Sequence, residues 1–290
     1  MITLTQKQIS TFRKQVLDYY SAHKRDLPWR QTTDPYKIMV SEIMLQQTQM
    51  ERVIPKYLHW IERFPDSKTL ASSTLKEVLT HWSGLGYNRR GQNLLKAAQM
   101  MEREYVGSFN AFKIIENYKK DPLTKLPGIG PYTAAAIRAF AFNQPIVMIE
   151  TNIRTVYIHH FFPNAQAVSD KELMPLIEVT LDRENPKDWY NALMDYGSFL
   201  KLTEGNASKK SKSYAKQSQF MGSKRRLRGL VIKHLTMYEH ATANELKALD
   251  VLDAAKLKAV VQDLLLEGMI SVDNRGCYSI NETHFLPPRV

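Results

Sequence analysis

Apolar residues recur every three to four positions through most of the chain, from Gln6 to Gln219. This spacing places them on one face of a helix, whereas the strict alternation typical of half-buried strands is nearly absent. Short breaks at Pro, Gly and Asp-Pro separate the helical stretches, for example "DLPWRQTTDPY", "SGLGYNRRG" and "KKDPLTKLPGIGP". The pattern therefore predicts an all-α region.

The pattern changes after the basic stretch that follows this region. Residues 223–240 predict one helix, 242–250 a second with Thr242 as its N-cap, and 253–268 a third that Gly268 closes. The tail "MISVDNRGCYSI" predicts two short strands joined at 273–276. Three helices and a β-hairpin are the order of a winged helix-turn-helix, which often binds nucleic acid, although a protein-docking module has the same shape. We predict a mainly helical domain over 1–205, a basic linker over 206–223 and a winged-helix-like α/β module over 224–290.

The net charge of +11 and the pI near 9.5 indicate a polyanionic partner, with nucleic acid favoured over a membrane surface. Residues 201–228 hold six Lys and three Arg against one Glu, so this stretch supplies +8 of the total. Such a stretch is often only a solvated linker. Tyr214 and Phe220 lie among the charges, which slightly favours contact with a phosphate backbone.

The composition also excludes several classes of protein. No apolar run approaches the length of a membrane span, and the polar start "MITLTQKQIS" is not a secretory signal. Cys277 is the only cysteine, which excludes a disulfide framework and a cysteine-ligated metal site. We expect a monomer in a reducing compartment, namely the prokaryotic cytoplasm at the nucleoid.

The first candidate site is the stretch "KLPGIGPYTAAAIRAFAF". Gly128 and Gly130 let the backbone approach another molecule closely, and Pro131 is typical of the first turn of a new helix. The free N–H groups at the start of that helix suit an anion. The stretch predicts a hairpin that grips one DNA phosphate, although a plain helix–turn–helix corner has the same pattern.

The second candidate is Glu150, which follows directly on the apolar run at 146–149. Thr151 or Asn152 is predicted to start the next helix. The helix macrodipole alone favours a carboxylate at that place, so Glu150 without its neighbours would be interpreted as a helix-start residue. Its position just after a phosphate-gripping hairpin, with a second carboxylate upstream, favours a catalytic role instead.

That upstream carboxylate is Glu42, at the edge of an apolar stripe that includes Met39 and Ile43. Partial burial raises the pKa of a carboxyl, which a general acid near neutral pH needs. An ordinary solvated glutamate fits the pattern equally well. The following "LQQTQ" places amides at a helix end, where they can satisfy base edges, fill the gap left by a displaced base, or cap the helix.

These motifs resemble the helix-hairpin-helix DNA glycosylases and, among them, the A/G-mismatch adenine glycosylase (MutY) branch. The resemblance covers about residues 20–200 and rests on "LPWR", "SEIMLQQTQ", "LPGIGPYTAAAI" and "ETNIRTV" in this order, with "SEIMLQQTQ" the most specific. It implies a two-lobed helical glycosylase fold. It also implies double-stranded DNA with a mismatch or lesion as the partner.

The resemblance implies roles for individual positions. Glu42 stands where the family has the acid that protonates the adenine ring, and Glu150 stands where it has the catalytic Asp. Tyr132 stands where lyase-type relatives have a Schiff-base lysine, which implies a monofunctional glycosylase. The implied base-pocket positions are Trp29, Arg30, Leu45, Tyr132, Asn191 and Met194. The expected DNA contacts are Gln46, Gln47, Thr48, Tyr87, Arg89, Arg90, Leu126, Gly128, Gly130, Asn152, Arg154 and, from the basic start of the C-terminal module, Lys224, Arg225 and Arg226.

The chain departs from the family at several places. The carboxylate of Glu150 reaches about 1.5 Å further than that of an Asp, and Asn191 stands where an acid or Gln commonly contacts adenine. The four cysteines of the family's iron–sulfur cluster, expected after "YNALMDYGSFL", are absent, so no cluster is expected. The winged-helix-like module replaces the domain that usually reads 8-oxoguanine. The resemblance implies no other cofactor, except a sodium or potassium ion on the carbonyls of the 126–130 hairpin.

Three functions remain open at this point. The first, which we favour, is a monofunctional glycosylase that removes adenine opposite guanine or 8-oxoguanine. The second is a glycosylase of the same scaffold for another base, such as a mispaired or deaminated pyrimidine. The third is a catalytically silent protein that senses lesions in DNA. In both enzymes, protonated Glu42 would assist departure of the base while ionised Glu150 stabilises the sugar cation and positions water.

Overall fold

The computed structural model describes residues 3–113, 121–217, 219–250 and 254–282. Within them the helices are α1 Gln6–His23, α2 Pro35–Leu45, α3 Met50–Arg63, α4 Ser67–Ala71, α5 Leu75–Trp82, α6 Arg89–Tyr105, α7 Pro131–Phe142, α8 Thr151–Phe161, α9 Asp170–Thr180, α10 Pro186–Thr203, α11 Lys224–Tyr238, α12 Ala243–Ala248 and α13 Ala254–Leu266. The strands are β1 His240–Ala241, β2 Ile270–Val272 and β3 Tyr278–Ile280. The prediction of a mainly helical chain that ends in a small α/β module is confirmed.

The C-terminal module, residues 224–282, has the predicted helices and the predicted hairpin. Thr242 caps α12, as predicted, and the structure adds a capping box with Glu245. The short strand β1 was not predicted, because two residues cannot show an alternating pattern; it pairs with β3 in an antiparallel sheet of order β1-β3-β2. The predicted break from Lys119 and the predicted helix start at Asp253 lie partly outside the described residues.

The chain folds as two compact units, and each is discontinuous in sequence. The first unit comprises Met1–Met39, Lys113–Thr124 and Ile129–Lys216. The second unit comprises Val40–Phe112, Lys125–Gly128 and Gln217–Val290. The C-terminal module therefore shares a unit with the amide-rich end of α2. The boundaries predicted at 205 and 223 concern domains that fold independently, and they stay a prediction.

The first unit is built around α10, which packs against α8 and α1. Trp189 and Tyr190 of α10 and Tyr157 of α8 are fully buried. Phe12 of α1 meets Trp189 edge-on, with ring centroids 5.9 Å apart. This aromatic core fixes the place where α8 begins, which is where Glu150 lies.

The second unit packs α3, α5 and α6 around the fully buried rings of Trp60 and Trp82. Gly91 allows the close approach of α6, because a Cβ there would lie 3.0 Å from the Trp82 ring. The C-terminal module attaches to these helices through α11, which packs on α5, and through the amide of Gln92, which donates to the carbonyl of Glu267 at 3.2 Å. None of the helices in the described ranges has the length and apolar character needed to cross a membrane.

Candidate functional site

Glu150 lies at the N-cap of α8 in extended conformation, with φ −139° and ψ −176°. The segment before it is anchored by Tyr190, whose hydroxyl accepts from the N–H of Met148 at 3.2 Å and donates to the carbonyl of Ile146 at 2.7 Å. Burial raises the pKa of Tyr190, so its hydroxyl stays neutral in this role. The backbone that leads into Glu150 is therefore held from α10.

The carboxylate of Glu150 folds back onto the first turn of its own helix. Its Oε1 accepts from the backbone N–H groups of Asn152 at 2.6 Å and Ile153 at 2.8 Å. The Asn152 side chain reaches the other oxygen, Oε2, at 3.4 Å. Glu150 thus has the geometry of a helix N-cap, and these hydrogen bonds hold its longer side chain in one position.

Two residues of α10 contact the start of α8. Gly197 lies so close that a Cβ there would fall 2.4 Å from the carbonyl oxygen of Asn152. Four residues further along the helix, the ammonium of Lys201 donates to Asn152 Oδ1 at 2.6 Å. Neither residue was among the predicted site residues. Their four-residue spacing was visible in the sequence, but their contact with Asn152 was not, because the two helices are far apart along the chain.

We expect Gly197→Ala to destabilise the protein by about 1–3 kcal/mol, because the new methyl group meets backbone that cannot move aside cheaply. The matched control is Gly229→Ala in α11, where a Cβ would have nothing within 4 Å. That variant should be neutral or up to about 1 kcal/mol more stable, since Ala favours a helix over Gly. Urea unfolding of both variants checks the difference. Equal stability of the Gly197→Ala variant and the parent would contradict the close approach.

The predicted base-pocket residues of the first unit lie on three elements. Trp29 and Arg30 belong to a 3-10 turn at Pro28–Arg30, Tyr132 is in the first turn of α7, and Asn191 and Met194 are on α10. Trp29 and Asn191 are buried, whereas Tyr132 and Met194 are partly exposed.

Arg30 is engaged with Asp195 of α10 by two hydrogen bonds of 2.8 and 2.7 Å. Burial acts to raise the pKa of Asp195, but hydrogen bonds and charges from Arg30 and Arg25 outweigh it and hold that pKa below its usual range. Arg30 therefore has a structural role, and its contact with a base stays a prediction. Arg154 is likewise paired with Asp170, at 2.8 and 2.7 Å.

The two glycines of the hairpin differ in backbone conformation. Gly128 adopts φ +83°, which an L-residue rarely does, and Gly130 precedes Pro131 at the first position of α7. Leu126 is buried. Just outside the hairpin, the buried guanidinium of Arg138 binds both carboxylate oxygens of Asp121.

In the second unit, Glu42 lies on α2 with 7% of its surface exposed. The interpretation of Glu42 as an ordinary solvated glutamate is therefore wrong. Leu45, another predicted base-pocket residue, is the last residue of the same helix and is partly exposed. The amide-rich loop of Gln46–Gln49 follows directly, so the helix end presents a buried carboxyl and the amides in one stretch.

Arg90 of α6 holds this amide-rich loop from the inside. One terminal nitrogen donates to the carbonyls of Ile43, Met44 and Gln46 at 2.8, 2.9 and 2.7 Å. The other donates to Thr48 Oγ1 at 3.0 Å and to the carbonyls of Leu85 and Gly86 at 3.1 and 3.2 Å. Burial lowers the pKa of Arg90 to about 10, so it stays charged at neutral pH. The structure gives Arg90 an internal role, and its direct contact with DNA stays a prediction.

Tyr87 is covered by the stretch that leads into α11. Its hydroxyl accepts from Gln217 at 2.8 Å and from the guanidinium of Arg225, which lies 5.0 Å from the ring centroid. The same guanidinium lies 5.4 Å from the Phe220 ring.

A cleft of about 460 Å³ opens beside Tyr87, lined by the amide-rich loop, residues 83–88 and α11. Of the predicted DNA contacts, Arg89 and Lys224 are exposed, and Lys224 and Arg226 pair with Asp263 and Asp250.

The stretch in which cluster cysteines were expected folds without them. Val168 and Ser211 form a parallel bridge, in which the N–H of Val168 donates to the Lys210 carbonyl and the N–H of Lys212 donates to Val168, both at 2.8 Å. The ammonium of Lys210 donates to the Pro163 carbonyl at 2.6 Å. The sole cysteine of the chain, Cys277, lies in the β2–β3 turn of the other unit. The groups that this stretch offers are backbone amides and lysine ammonium groups. They do not fit an iron–sulfur cluster, which needs thiolates.

Comparison with known proteins agrees with this architecture. The family model described as HhH-GPD superfamily base excision DNA repair protein matches residues 40–180. The chain is 36% identical to the adenine DNA glycosylase of Buchnera aphidicola subsp. Baizongia pistaciae over 66% of this chain and 53% of that protein. It is 29% identical to the adenine DNA glycosylase of Mycolicibacterium smegmatis over 92% of this chain and 94% of that protein. The chain thus spans about half the length of the first relative and nearly all of the second.

A solved structure, described as that of a thermostable thymine-DNA glycosylase, is also similar. The TM-score is 0.56 at 26% identity, over 66% of this chain and 87% of that protein. The similarity therefore extends from the sequence to the helical fold.

Proposed function

Because the chain belongs to the HhH-GPD superfamily of base excision DNA repair proteins, we propose that it is a monofunctional DNA N-glycosylase that removes adenine opposite guanine or 8-oxoguanine. The observation that carries this proposal is the hydrogen-bonded position of the Glu150 carboxylate. Its carboxylate is fixed by two backbone N–H groups at the start of α8, as a group that must meet developing positive charge requires.

The proposed reaction breaks the bond between the sugar C1′ and the base nitrogen. The bonding electron pair leaves with the base, which accepts a proton from Glu42, and positive charge develops on the sugar ring. Ionised Glu150 stabilises that charge and orients a water molecule, whose oxygen bonds to C1′ as its proton passes to Glu150 or to solvent. A buried Glu42 and a hydrogen-bonded Glu150 suit these two opposite roles.

The base must leave the stack before this chemistry can occur. The hairpin at 126–130 would bind a phosphate, while the amide-rich loop would enter the gap left by the base. The exposed Arg89 and Lys224 would add contacts with the phosphate backbone. Action as a monomer on chromosomal DNA at a prokaryotic nucleoid belongs to the same proposal.

The proposed enzyme needs no cluster, because the chain lacks the thiolates to bind one. A sodium or potassium ion on the carbonyls of the 126–130 hairpin remains part of the proposal. Backbone carbonyls are suitable ligands for such a hard cation, and the positive φ of Gly128 shows that this backbone turns tightly. The ion would add positive charge beside the phosphate that the hairpin binds.

A second candidate substrate is a mispaired pyrimidine. The similar solved structure is of a thymine-DNA glycosylase, and Asn191, which is buried on α10, departs from the residues that commonly contact adenine. The amide of Asn191 can donate and accept hydrogen bonds, so it suits the edge of a pyrimidine as well as that of adenine.

A panel of duplexes tests the proposed function. Each duplex carries A:G, A:8-oxoguanine, T:G, U:G or normal pairs, and is incubated with the protein and then heated with alkali. We expect strand breaks at adenine in the first two duplexes, and none without alkali, because Tyr132 supplies no amine. Breaks at thymine or uracil instead would establish the second candidate. Binding without any break would establish the catalytically silent protein and overturn the proposal.

A further inference from the structure

Lys201 occupies an unusual place beside the proposed catalytic carboxylate. It lies on α10 four residues after Gly197, so both residues are on the face that meets the start of α8. Its side chain is partly buried, and its ammonium donates to Asn152 Oδ1 at 2.6 Å. A short charge-assisted bond of this kind orders both side chains.

The ammonium group decides which way the Asn152 amide points. Lysine only donates hydrogen bonds, so it must face the amide oxygen of Asn152. The amide nitrogen is then on the other side, where it points to Glu150 Oε2 at 3.4 Å. If the amide turned over, its oxygen would face the carboxylate, and two acceptors would repel each other.

Lys201 and Glu150 also interact through their opposite charges. Burial lowers the pKa of Lys201, and the negative charge of Glu150 acts in the opposite direction. Glu150 also acts on Arg154 of α8, whose guanidinium binds Asp170 of α9. Lys201 is thus a cation that a proposed catalytic anion helps to keep charged.

We propose that Lys201 is a positioning residue for Glu150, acting through Asn152. It orients the Asn152 amide toward Glu150 Oε2 and supplies a positive charge beside the carboxylate. Lys201 is also the first residue of the stretch in which the family resemblance leads one to expect cluster cysteines. The stretch without cysteines would then contribute to the catalytic site. This inference rests on the proposed function, because it needs Glu150 to take part in base excision.

Single-turnover excision and duplex binding, measured side by side, test the proposal. We expect Lys201→Met to slow excision by about tenfold to a hundredfold, because the Asn152 amide is no longer oriented toward Glu150 Oε2 and the positive charge beside the carboxylate is lost, while binding of the duplex and the melting temperature change little. Lys201→Arg should recover most of the rate, since it keeps both the charge and the donor. The matched control is Lys187→Met, which removes another partly buried lysine of α10, one that donates to the Thr32 carbonyl. It should excise at the parent rate.

The pH dependence of single-turnover excision provides a readout that a merely structural lysine would not move. As pH rises, Lys201 loses its proton below the range of an ordinary lysine, so the parent rate should fall on the alkaline side. Arg154 and Asp170 do not titrate there, because their mutual hydrogen bonds raise the pKa of Arg154 and lower that of Asp170. With Lys201→Arg the fall should move upward by at least about one pH unit, since guanidinium keeps its proton.

The outcomes separate this inference from the proposed function. A parent chain that excises no base from any duplex would overturn both. If the parent is active, Glu150→Gln is inactive and Lys201→Met excises at the parent rate, only the role of Lys201 is overturned. An equal loss of rate and stability in Lys201→Met, with no rescue by Lys201→Arg and no change in the pH profile, would also overturn it.

Discussion

The Glu150→Gln variant should excise its base about a thousandfold more slowly than the parent, or not at all, while it binds the same duplex with nearly unchanged affinity. The substitution keeps the length and the hydrogen-bonding oxygen of the side chain but removes the negative charge that meets the sugar cation. An amide oxygen still accepts from the N–H groups of Asn152 and Ile153, so the helix start is preserved. The lost interaction with the helix dipole costs about 0.3–1 kcal/mol, too little to unfold the chain.

The control for Glu150→Gln is Glu172→Gln, which makes the same chemical change at another helix start of the first unit. Glu172 forms a capping box with Ser169 at the beginning of α9 and is exposed. Its variant should excise at the parent rate, within about twofold, and unfold at nearly the same urea concentration as the parent. Single-turnover rates at saturating protein and binding measured by anisotropy check both variants. Full activity of Glu150→Gln would remove Glu150 from the mechanism, and the same assay on Glu42→Gln tests the proposed acid.

The sequence predicted local features of the fold better than the partners of its charged side chains. Caps such as Thr242 with Glu245, and Pro131 at the first position of α7, depend on residues a few positions apart, which a sequence displays directly. The two alternatives for Glu42 were equally supported by the sequence, because the edge of an apolar stripe does not reveal what covers it. That only 7% of the Glu42 surface is exposed could be learned only from the folded structure.

In the candidate site, too, the sequence did not reveal which side chains contact each other. Glu150 was predicted either to cap a helix or to act in catalysis, and its structure combines the cap with a fixed carboxylate, so the two are not exclusive. Lys201 and Asn152 are distant in sequence, and no pattern of residue types announces a bond between a lysine and an asparagine. Arg90 was expected to contact DNA from the family resemblance. Its actual partners are mostly backbone carbonyls, which any residue type supplies and which therefore leave no signal in the sequence.

The Arg90→Met variant should lose about 3–5 kcal/mol of unfolding free energy. Removal of the guanidinium leaves the carbonyls of Ile43, Met44 and Gln46, and those of the 85–86 turn, without their buried donor. Two non-glycine residues nearby, Gln47 and Tyr87, have φ values of +55° and +46°. Such strained conformations persist only where the surroundings hold them, and Arg90 is what joins the two loops.

The same variant should also bind duplex poorly at temperatures where it remains folded, because the amide-rich loop loses its fixed shape. Arg90→Lys should recover little, since one ammonium cannot reach six acceptors on two loops. Arg89→Met in the same helix is the matched control, because Arg89 is exposed. The Arg89→Met variant should change the free energy of unfolding by less than about 0.5 kcal/mol. It should, however, bind duplex DNA more weakly, and the slope of log affinity against log salt concentration should fall in magnitude by about one. Urea unfolding and binding at several salt concentrations check both, and an Arg90→Met chain as stable as Arg89→Met would show that the carbonyls do not depend on the guanidinium.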